Sequence, residues 1–360
     1  MVVWDVPTGP KRDRDEEDAG MLRVCARVLV VVLVSIQVVG CALTSSSRTP
    51  RSGLSASRLS IHLLGRYTEG AHRIVAAGPR VIKVLDPQSN GDMMAALVDY
   101  KTRWLEGVTV VRVWEGTPGI RFGLTDDPVA SAARYWDRIL APAMSRLTPA
   151  QRSLIDFLEG PNEGENCPTW QDLASAAWYG AFSAALAGHM AEAGFRPCLA
   201  CIPVGNPPGD RDEMRAKLDA FVPALEAARR LNGCWAYHSY SIGYTTDVAE
   251  EMWYALRYRQ FYRFLEDEHP HLADLPLILT ESGIDHAGNK DADGWQARGS
   301  AERFQEWLLW YDSELNRDEY VIGSTLFQSG DPAGWPSFEI EPVALWLAGH
   351  IAGARGGPTP

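Results

Sequence analysis

RPCLACIPVGNPPGDRDEMRAKLDAFVPALEAARRLNGCWAYHSY, residues 196–240, holds the plan of the whole domain in miniature. It opens with a short aliphatic run, RPCLACIP (196–203), and a turn rich in Gly and Pro. In DRDEMRAKLDAFVPALEAARRL (210–231) the apolar residues recur at spacings of three and four, the signature of one buried helix face. A second extended run, CWAYHSY (234–240), follows at once. Strand, helix and strand joined by short connections make a parallel pair with a helical crossover.

The same unit repeats along the chain. Further strand candidates are LSIHLL (59–64), RVIKVL (80–85), VTVVRVW (108–114), SLIDFLE (153–159), LPLILTE (275–281) and VIGSTLF (321–327). Helical periodicity falls at 128–147, 169–194, 247–268, 300–315 and 341–353. Eight strand candidates alternating with helices predict a single-domain (β/α)8 barrel over 59–360, rather than an open doubly wound sheet. No GxGxxG or phosphate loop follows any strand, which counts against nucleotide-dependent chemistry. With 46% hydrophobic and 22% charged residues the composition is globular, and a net charge of -12 disfavours nucleic acid as a partner.

Barrel chemistry sits at the carboxyl ends of the strands, so those positions are the ones to read. The fourth strand runs into SLIDFLEGPNEGENCPTW (153–170), bringing Asn162 and Glu163 to the mouth. The seventh runs into LPLILTESGID (275–285), bringing Glu281 there. Two carboxylates facing across a barrel suit glycosidic bond cleavage, in which one carboxyl protonates the leaving oxygen and the other attacks the anomeric carbon. The sixth strand adds His238 and Tyr240 at alternate positions.

On these residues the chain, from 59 to 352, resembles the clan A glycoside hydrolases, retaining (β/α)8 enzymes with an Asn-Glu pair ending strand four and a nucleophilic Glu ending strand seven. The resemblance implies Glu163 as acid/base, Asn162 as the ligand of the sugar 2-hydroxyl, Glu281 as nucleophile and Tyr240 as its hydrogen-bond donor. His238-Ser239-Tyr240 is similar to the clan's His-x-Tyr. Many members carry an Arg ending strand two, whereas this chain has Lys83 there, and Arg112 on strand three is assigned the Arg's role. The clan's strand-eight aromatic is replaced by Phe327 and Gln328, with Trp335 in the following loop. Glu159 and Trp114 lie in phase with inward positions and are expected at the ligand. Of the mouth-loop residues Trp114, Trp170, Trp295 and Trp335, two are expected to stack on sugar faces. Trp295 lies in the long polar segment 282–300, a candidate lid beside Glu281.

The implied function is double-displacement hydrolysis of a β-linked oligo- or polysaccharide, without cofactor. No HExxH or spaced His/Asp cluster suggests a metal. The alternatives are a noncatalytic carbohydrate-binding surface barrel and a transglycosylase using the same residues. A monomer is expected.

Residues 28–39, VLVVVLVSIQVV, preceded by Arg23 and Arg27 and followed by Gly40 and Cys41, read as a signal peptide over 21–41. Its ending resembles the bacterial lipobox, which implies lipidation at Cys41, a membrane anchor and location at the cell envelope; without lipidation the product is secreted. Residues 1–20 read as a disordered extension or a misassigned start, and 42–58 as a Ser-rich tether. Cys198 and Cys201, three apart on one strand, are expected on opposite faces, a poor arrangement for sharing a metal. Buried free thiols are expected for Cys167, Cys198, Cys201 and Cys234, with a Cys198–Cys234 disulfide as the alternative.

Overall fold

A computed structural model describes residues 53–355, except Glu165. The extension, signal peptide, Cys41 and most of the tether lie outside the described residues. Eight parallel strands close a barrel in chain order: β1 (Leu59–Leu63), β2 (Val81–Leu85), β3 (Val108–Arg112), β4 (Phe157–Glu159), β5 (Arg196–Ile202), β6 (Cys234–Ser241), β7 (Leu277–Ile284) and β8 (Val321–Ser329). After each strand runs one main helix: α1 (Glu69–Ala76), α2 (Gly91–Arg103), α3 (Pro128–Tyr135), α4 (Leu173–Glu192), α5 (Arg211–Arg230), α6 (Tyr258–Glu268), α7 (Ala301–Leu315) and α8 (Ala344–Gly353). The protein is a (β/α)8 barrel. Among the described residues no helix is long and apolar enough to cross a membrane.

Local chemistry sets the helix starts. Asp172 accepts from Ser175 N before α4, and Asp210 and Glu213 form a reciprocal capping box before α5. Such caps are worth about 1 kcal/mol each. The two helices pack closely at Gly180, where an added Cβ would lie 2.8 Å from the Ala220 carbonyl oxygen. Only a residue without a side chain fits there.

Several elements differ from the sequence reading. β4 is confined to Phe157–Glu159, because Thr148 and Gln151 cap a short helix, Pro149–Arg152, and Asp156 turns aside to accept from Thr109 N on β3. The helix read at 128–147 passes through a π-turn at Trp136–Leu140, and the one read at 247–268 breaks after Glu251 and resumes at Tyr258. Residues 53–58 of the expected tether are built into the domain: Ser55 and Ser57 are buried, and Ser55 bridges to Arg355.

The barrel interior is layered. At its lower end Val81, Val110, Phe157, Cys198, Cys201, Cys234, Ala236 and Ile278 form an apolar plug. One inward position further along, β2, β3, β4 and β6 present Lys83, Arg112, Glu159 and His238, as strict alternation requires. β5 and β7 depart from it. Between pairs Leu199↔Trp235 and Ile202↔Tyr237, β5 advances three residues while β6 advances two. Between Ala236↔Ile278 and His238↔Glu281, β7 likewise advances three against two. Each is a bulge that turns the next residue inward. At β5 the extra residue is absorbed by positive φ at Ala200 (82°) and Cys201 (38°). This corrects the expectation that Cys198 and Cys201 face opposite ways: both enter the plug. All four cysteines of the described domain are free thiols.

Glu251, just after β6, is a buried carboxyl that accepts from Ser241 Oγ and from Ala255 N. Burial pushes it up to about 7. Its folded value lies above the unfolded one, so its contribution to stability is complete below about pH 4.5 and is lost as pH rises through about 7. Urea denaturation at pH 4 and pH 8 is expected to show Glu251→Gln gaining on wild type by roughly 3 kcal/mol across that interval. Parallel pH dependences would mean that the fold does not raise Glu251 above its unfolded value.

Candidate active site

The mouth of the barrel opens into a cavity of about 510 Å³. Arg112, Trp114, Asn162, Glu163, Tyr240, Glu281 and Trp335 of the sequence-selected residues line it, together with Phe327. Asn162 and Glu163 follow β4 in a tight turn. Glu163 has φ 49° and ψ 14°, a left-handed conformation that costs a residue with a side chain about 1–2 kcal/mol. From that turn its carboxylate reaches His238, with Oε1 2.8 Å from Nδ1.

Glu281 is brought to the same histidine by the β7 bulge, its Oε2 3.6 Å from His238 Nδ1. The two carboxylate oxygens are therefore within about 6.4 Å of one another, the sum of their distances to that nitrogen. Their surroundings are unlike. Glu163 has a side chain 39% exposed and Glu281 only 8%. Arg112 Nη1 donates to Glu281 Oε1 at 2.9 Å, Lys83 Nζ lies 3.3 Å from the same oxygen, and Tyr240 OH donates to Oε2 at 3.0 Å. Burial alone would raise the Glu281 carboxyl, but its neighbours His238, Lys83, His62 and Arg112 outweigh it and hold it well below the usual carboxylate range. Burial and the Glu281 charge push the Tyr240 phenol far up, so it remains a donor.

Arg112 thus takes the place assigned to it, and Lys83 joins it on the same oxygen. His62 of β1 went unselected; its Nδ1 lies 3.6 Å from Glu281 Oε1, and burial, then Lys83, hold it well below the ordinary histidine range. One His in an aliphatic strand is indistinguishable from core packing in sequence. Asp285 and Asp331 also line the cavity and were not selected.

Three expectations are corrected. Trp295 does not reach the cavity: it is 3% exposed and stacks on Phe304 at 4.7 Å, because the loop ends in a short helix packed on α7. Trp170 is also in the core, against Tyr179 and Phe221. Glu159 faces inward as read but lies beneath the cavity, fully buried, with Oε2 2.7 Å from Lys83 Nζ. His238 is fully buried too and meets Glu163 from below. Trp114 and Trp335 are the two of the four tryptophans at the cavity. Phe327 forms its floor, with Trp335 edge-on at 5.2 Å and Phe338 at 5.6 Å.

Glu159, Cys201 and His238 bring one donor atom each within 4.8 Å of one another. The Glu159 carboxylate is already neutralised by the Lys83 ammonium, so the donor set does not fit a metal ion.

No protein-family model matches this chain, and no curated protein matches it. Among solved structures it is similar to a GH128 (subgroup II) endo-beta-1,3-glucanase from Pseudomonas viridiflava, at 17% identity over 79% of this chain and 91% of that one, TM-score 0.41. It is similar to the catalytic domain of a mannanase from Streptomyces sp. SirexAA-E, at 16% identity over 84% and 88%, TM-score 0.41. A beta-glucosidase from Exiguobacterium marinum aligns at 12% identity over 83% and 99%, TM-score 0.43. These are likenesses of fold.

Proposed function

We propose that the protein is a retaining glycoside hydrolase acting on a β-linked glycan, with Glu163 as acid/base and Glu281 as nucleophile. The observation that carries this reading is the pairing of two carboxylates on one His238 nitrogen, in opposite environments, at the base of one cavity. One oxygen of each carboxylate lies within about 6.4 Å of the other, close enough for both groups to reach a single glycosidic bond.

In the first step Glu281 attacks the anomeric carbon as Glu163 gives its proton to the departing glycosidic oxygen. The C–O bond breaks and an ester to Glu281 forms. In the second, Glu163 takes a proton from water, the oxygen attacks the same carbon, and Glu281 leaves as a carboxylate. Arg112, Lys83 and Tyr240 hold Glu281 ionised and oriented before attack and receive its charge when it leaves. Phe327, Trp335 and Trp114 supply apolar faces for the sugar ring.

Pre-steady-state assays of the full chain with a panel of activated aryl β-glycosides test this. A burst of aryl alcohol, followed by slower steady release, is expected with at least one sugar. Silence across the panel, with unchanged oligosaccharide binding in Glu163→Gln and Glu281→Gln, would leave a binding barrel instead.

A further inference from the structure

Lys83 sits among ionisable groups from every strand that carries one nearby. β1 faces it with His62, β3 with Arg112, β4 with Glu159, β5 with Cys201, β7 with Glu281, while His238 of β6 stands between the carboxylates; β8 has no titratable residue. Lys83 and Glu159 are both fully buried, and neither lines the cavity. The shorter of the lysine's two ion pairs is with Glu159, at 2.7 Å, against 3.3 Å to Glu281.

Among the described residues, Lys83 has two carboxylates within ion-pair distance, Glu159 and Glu281. In the reaction proposed above, on which this inference rests, Glu281 becomes an ester and loses its charge. Of those two carboxylates Lys83 then keeps only the charge of Glu159. A buried lysine left beside an arginine loses its proton readily, and a neutral Lys83 gives Glu281 no help as it departs.

We propose that Glu159 is a positioning residue that holds Lys83 as an ammonium aimed at Glu281 throughout the reaction, the covalent intermediate included. Glu159 never meets the sugar; it acts through Lys83. The free-enzyme electrostatics agree: burial works against the Lys83 charge, yet Glu159 first and Glu281 second outweigh it and lift the lysine above its ordinary range.

The test is Glu159→Gln, alone and combined with Lys83→Arg. In Glu159→Gln, the alkaline loss of steady-state turnover is expected to move down by about two pH units or more, with the intermediate accumulating there. Lys83→Arg in that background is expected to abolish this new limb, because a guanidinium does not titrate in the range. In parallel, the Lys83 side-chain carbon signal is followed against pH by NMR of the full chain, assigned with Lys83→Arg. It is expected to titrate at lower pH in Glu159→Gln than in wild type. Glu159→Asp, which retains the charge at shorter reach, is expected to fall between them and serves if the glutamine variant does not fold. An unmoved Lys83 titration overturns the proposal, whether or not turnover falls. Because that arm needs no substrate, failure of the hydrolase reading shows separately, as absence of any burst in wild type.

Discussion

Glu281→Gln is expected to lower turnover of an activated aryl β-glycoside by on the order of 10⁵-fold or more, the scale seen when a covalent nucleophile is removed from a site that acts as a unit. The amide has nearly the shape of the carboxylate, so the cavity is preserved while the attacking charge is lost. Arg112 and Lys83 then lose a shared counter-charge, and the variant is expected to melt below wild type as well. A melting curve at the assay temperature separates the two effects. Turnover within tenfold of wild type in a folded variant would remove Glu281 from the mechanism.

Glu163→Ala is expected to behave differently according to the leaving group. With a natural glycan or a poor phenol, whose oxygen needs a proton, kcat/KM should fall by roughly 10²–10⁴-fold. With a dinitrophenyl group, which departs without a proton, kcat/KM should change little, while kcat falls because no base activates water. Azide, needing no deprotonation, should then restore turnover and yield a glycosyl azide of retained anomeric configuration. Equal losses on both classes of substrate would argue that Glu163 is needed for binding rather than proton transfer. The exposure of Glu163 fits a group that exchanges its proton in each cycle, just as the enclosure of Glu281 among cations fits one that stays ionised.

The strand and helix series was legible because each element writes its periodicity over several residues. β4 is shorter than read: Leu154 and Ile155 look like the start of a strand, but the Thr148–Gln151 capping box starts a helical turn just before them. The inward phase of Glu159 could be read, but alternation gives a face and not a height, so a residue one layer beneath the cavity looked like one in it. Trp295 misled for a related reason. A tryptophan in a polar loop reads as a ligand contact, whereas the loop ends by tucking it against Phe304, a partner nine residues onward in another helix. The convergence of Lys83, Arg112, Tyr240 and His62 on one carboxylate depends on the closure of the barrel, which no local pattern contains.

The bulges in β5 and β7 make the site a matter of register. From Ile278 to Glu281 the chain takes three steps between two inward residues, one more than alternation needs, so losing a single residue at 279–280 would leave a regular strand with Glu281 still inward and opposite His238. Inserting residues at 279–280, where the strand already holds one extra, would leave every side chain of the site in the sequence and still move Glu281 out of register with His238. A deletion of one residue there would be a milder lesion than an insertion of two. In this barrel the length of a strand carries as much functional information as the identity of the glutamate at its end.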